Sequence, residues 1–155
     1  VLQALSDWPV AALLRSSAVL YPLVNATHII GIALLFGAVA TLDLRLLGAF
    51  RGQQLAELGP PLQRVAAAGL LLAALTGALL FTTRPTAYAG NPAFLLKLGL
   101  VGLGAANALL LHRRGLWRRA LASGEAPLAL KAAALVSLLS WIAAVLAGRW
   151  IGFLQ

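Results

Sequence analysis

The sequence predicts an all-α fold: an integral membrane four-helix bundle preceded by a short helix lying in the membrane interface. Three observations lead there. Of 155 residues, 61% are hydrophobic and only 10% charged. The mean hydropathy of +0.92 lies far above that of soluble globular domains. Apolar runs long enough to cross a bilayer, which needs about 20 residues each, occur four times with short connections, leaving no room for a separate soluble domain.

In chain order, residues 5–16 read as the interfacial helix. Ser6 is a candidate N-cap, Asp7 and Pro9 suit a first turn, Trp8 is an interface anchor, and an apolar face ends at Arg15. The first span runs from about 22 to 47, with Tyr21 at one interface and Asp43 and Arg45 at the other, placed to reach head groups or each other. Gly59-Pro60-Pro61 breaks the chain before a second span over 62–83. There Gly69, Ala73 and Gly77 recur every four residues, a small-residue stripe that packs closely on another helix. Residues 84–92 form a compact connection. The third span covers 93–112 and carries Lys97 and Asn107; the link that follows holds Trp117 and several arginines. The fourth span covers 128–153.

The net charge of +8 would suggest nucleic acid in a soluble protein, but here the basic residues flank apolar spans, so they speak of topology and membrane lipid, with no nucleic-acid partner. Arg45, Arg51 and Arg64 cluster around the first connection, and Arg113, Arg114, Arg118, Arg119 and Lys131 around the third. Arg15, Arg84 and Arg149 are on the other side. The positive-inside rule then puts both termini outside. Cysteine and methionine are absent, which excludes disulfides, thiolate metal sites and the soft ligands that copper(I) prefers. The sequence opens on Val1, as expected of a processed or partial chain.

His28 is the residue that most needs a reason, since an imidazole inside a span faces the bundle interior and finds a partner, a metal or a cofactor. At 1.5 Å per residue, His28 lies roughly 10 Å below the outer boundary, Lys97 roughly 9 Å and Arg149 roughly 8 Å. Three basic groups on three helices thus share a layer without an acidic residue, an arrangement suited to an external anion. Haem b meets that requirement: His28 is the metal ligand, and Lys97 or Arg149 pairs with a propionate. A neutral Lys97 could alternatively be a second axial ligand. The simpler reading has Lys97 and Arg149 snorkelling outward while His28 bonds a backbone carbonyl or Asn25. His112 lies about 20 Å deeper than His28, so the two cannot share one iron.

The stretch HIIGIALLFGAVATLDLRLLG resembles the first span of HemJ-type protoporphyrinogen oxidases. NPAFLLKLGLVGLGAANALLLHRR is similar to the lysine-bearing span of that family and to a span of the CopD copper-resistance family. The resemblance implies a haem-b-associated four-helix protein of the bacterial inner membrane, with His28 as ligand and Lys97 as the functional lysine. Two other readings stay open: a copper or small-solute permease of CopD-like type, and a structural transmembrane subunit without cofactor. Gly99, Gly102, Gly104 and Ala105 leave surfaces on which other membrane subunits or a second copy could pack.

Overall fold

The computed structural model describes residues 2–154, all of whose regular elements are helical. Four helices are long and apolar enough to cross a membrane: α3 (Leu20–Leu47), α4 (Leu55–Thr83), α6 (Pro92–Arg113) and α8 (Leu128–Trp150), the last prolonged by a 3₁₀ turn over Ile151–Phe153. They alternate in direction, making the chain a multi-pass four-helix bundle. Short helices α1 (Leu2–Ser6), α2 (Pro9–Ser16) and α5 (Pro85–Ala89) decorate the end that carries both termini, called the outer end from the expected orientation, and α7 (Leu116–Ser123) lies at the opposite, inner end.

The packing order is a curved row. α4 packs along α3, α3 on α8, and α8 on α6, while α4 and α6 close the bundle only through side chains near their ends. At the outer end Phe81, Tyr88 and Phe94 form an aromatic cluster with centroids 5.4–6.2 Å apart. At the inner end Gln63 on α4 bonds His112 on α6 at 3.0 Å.

The small-residue stripe sets the closest seam. A Cβ on Gly69 would come within 2.5 Å of the Leu35 nitrogen, and one on Gly31 within 2.7 Å of the Ala73 nitrogen. Only glycine permits that approach, which in lipid draws helices together by contact alone. α3 ends at Gly48, whose φ of 110° completes a Schellman closure: Gly48 N–H donates to the Arg45 carbonyl and Ala49 N–H to that of Leu44. At the inner end Leu42, Leu46, Leu55, Trp117, Ala120, Leu130 and Ala134 form the apolar core.

Three local expectations are corrected. The interfacial segment is two helices with a break at Asp7-Trp8; Ser6 does not cap but ends α1, its carbonyl accepting from Arg15 Nη2 at 2.8 Å. The Gly59-Pro60-Pro61 break does not form, and α4 begins at Leu55 and runs through both prolines. Their missing N–H groups fall in its second turn, where Ala56 and Glu57, whose carbonyls lose their partners, are exposed at the bundle end. Asp43 and Arg45 do not reach each other: Asp43 turns into the bundle and is 6% exposed, while Arg45 turns away to donate to the Gln53 carbonyl at 2.9 Å.

Candidate functional site

His28 projects from α3 against α4 at the point where Gly77 has no side chain. A Cβ there would meet the ring Cε1 at 2.9 Å, so the glycine is what admits the imidazole. His28 Nδ1 lies 3.0 Å from Thr76 Oγ1. The Thr76 hydroxyl also donates to the Leu72 carbonyl at 2.6 Å, and the Ala73 backbone is a further hydrogen-bond partner of the His28 ring. The imidazole is thus held against α4 through Thr76 and Ala73.

Lys97 approaches from α6. Its Cδ, Cε and Nζ run within 3.5–3.7 Å of where a Gly148 Cβ would stand on α8, and it is near enough to act electrostatically on the His28 ring. Among the described residues it has no ion-pair partner. Arg149 belongs to the same end but is exposed, its guanidinium 4.9 Å from the Phe153 ring centroid. Asn25 is also exposed, one turn before His28, and the histidine bonds Thr76 and the Ala73 backbone rather than Asn25. His28 and Lys97 thus lie at the same end of the bundle, with Arg149 and Asn25 exposed there.

His112 has both nitrogens committed. Nδ1 donates to the Ala108 carbonyl at 2.9 Å, and Nε2 accepts from Gln63 at 3.0 Å. It offers no free lone pair. Among the described residues no three of His, Asp and Glu gather closely enough to hold a bare ion.

Sequence reasoning missed Thr76, although a hydroxyl residue adjoining the stripe of Gly69, Ala73 and Gly77 was a signal. It also missed a cavity of about 630 Å³ in the inner half, lined by Asp43, Ser137, Trp141, Arg64 and many apolar side chains from all four spans. The fold defines a multi-pass helical membrane protein with a half-buried histidine, His28, inside one span. Compared with protein-family models, characterised proteins and solved structures, the chain matches none.

Proposed function

We propose that the chain is a b-type haem-binding membrane protein, a small redox or accessory subunit, with His28 as the iron ligand. The observation that carries this reading is an imidazole inside a span whose Nδ1 lies 3.0 Å from Thr76 Oγ1, itself hydrogen-bonded to the Leu72 carbonyl, so that the ring is held in one orientation. Lys97 supplies an unpaired cation for one propionate, and Arg149 at the rim is available to the other. Burial strengthens such a pairing because hydrocarbon screens it poorly. The bound haem would supply one-electron chemistry, while the protein holds it, orients it and keeps water away.

The orientation that fits the arginine distribution puts α7 on the cytoplasmic side of a bacterial inner membrane and the His28 layer near the outer face. Gly99 and Gly102 on α6 face open space, and a second subunit or copy would pack there.

The visible spectrum of the purified protein, alone and with added haem, tests the reading. A Soret band that persists in His112→Ala and disappears in His28→Ala is expected. Its absence even with added haem rejects haem binding and leaves the permease and structural-subunit readings. Lys97→Arg should retain the haem and its spin state, whereas Lys97→Leu should weaken retention; a spin-state change in Lys97→Arg would assign the lysine to the iron instead.

A further inference from the structure

The inner cavity presents a second chemistry, independent of His28. Asp43 is more than nine-tenths buried, and its Oδ2 has no hydrogen-bond partner. Ser137 on α8 faces the same carboxyl group, and Trp141 is alongside in the lining. Arg64 lines the same cavity yet is not within ion-pair distance of Asp43, and among the described residues it has no other partner. One cavity therefore holds a buried acid without a cation and, nearer its mouth, a guanidinium without an anion.

The shape decides what can satisfy both. The lining residues Leu42, Asp43, Ser137 and Trp141 from α3 and α8 are buried, whereas Arg64 and Ala67 from α4 and Ala108 from α6 are exposed. The cavity thus opens between α4 and α6, where the bundle is not packed, and that opening faces the acyl chains. A carboxylate left alone at this depth is costly, and an orphan acceptor wants an N–H donor. We propose that the cavity is a binding site for an aminophospholipid headgroup. The primary ammonium donates to Asp43 Oδ2, Arg64 meets the phosphate, and the acyl chains leave along the gap beside Ala67 and Ala108. A trimethylated choline headgroup carries the same charges but no N–H, so it cannot satisfy the orphan oxygen.

The test is native mass spectrometry of the full chain released from nanodiscs containing phosphatidylethanolamine and phosphatidylcholine with identical acyl chains. Retention of the ethanolamine lipid at one per chain, at least tenfold over the choline lipid, is expected. Asp43→Asn should abolish that preference, as should Ala66→Phe, which leaves the carboxylate in place and fills the cavity; circular dichroism checks that both remain helical. His28→Ala should bind the lipid like the wild type, which separates this result from the haem reading. Equal retention of the two lipids, or undiminished preference in either a folded Asp43→Asn or a folded Ala66→Phe, overturns the proposal. Binding of water-soluble phosphoethanolamine without retention of the lipid overturns it as well.

Discussion

The outer and inner halves of the bundle treat their buried polar groups in opposite ways. In the outer half glycines bring α3 and α4 into backbone contact, and His28 reaches Thr76 because Gly77 leaves room for its ring. In the inner half α4 and α6 meet through the Gln63–His112 side chains rather than by backbone contact, Trp117 of α7 packs over Gly59, and Asp43 is left with an unpartnered oxygen beside a cavity. The two polar groups sit on one helix, about 22 Å apart along its axis. Whether a polar side chain in a span is satisfied therefore depends on how near the neighbouring backbone comes, and that distance is set by glycine placement.

The strongest way to break this contrast is to pry open the outer seam. Gly69→Leu puts a side chain where even a Cβ would lie 2.5 Å from the Leu35 nitrogen. It should cost about 3 kcal/mol or prevent folding, read as a fall in thermal-unfolding temperature or loss of monodisperse protein. Next, Thr76→Val keeps the shape but removes the hydrogen-bond partner of His28 Nδ1. Haem affinity should fall about tenfold, the usual effect of losing the group that orients a ligand, and Thr76→Ser should restore it; an affinity equal to wild type in Thr76→Val would show that the ring needs no such partner.

Inside the cavity the sign should reverse. Asp43→Leu removes an orphan acid rather than a satisfied group, so in phosphatidylcholine bilayers it should stabilise the bundle by about 1 kcal/mol. A loss of stability there would mean that the hydrogen bond from Ser137 outweighs the cost of the unpartnered Oδ2. The smallest effect belongs to Gly99→Ala. No atom lies within 4 Å of where its Cβ would be, so helix propensity alone should raise stability by less than about 1 kcal/mol.

The four spans were legible because apolar length is a property of the sequence itself, and the Gly69-Ala73-Gly77 stripe was legible as a packing face. Asp43 was not. An acid two residues before Arg45 near the end of an apolar run resembles an interface marker, and only the path of α8 shows that its face of α3 is covered. Its spacing from Val39 and Leu46, four and three residues, was the available sign that it shares the inward stripe. The proline pair misled for a related reason: Pro60 and Pro61 break a helix interior, but here they fall close to a helix start whose position the sequence left open. His28 was identified as a functional candidate from its depth alone, whereas its hydrogen-bond partner Thr76, 48 residues away, required the fold.

The proposal that the His28 layer, and not the inner cavity, binds haem is tested most directly by titrating haem into the wild type, His28→Ala and Asp43→Asn and following the Soret band. The account predicts saturable one-to-one binding in the wild type, the same affinity in Asp43→Asn, and no defined binding in His28→Ala. Unchanged binding in His28→Ala, or binding lost in a folded Asp43→Asn, would contradict it.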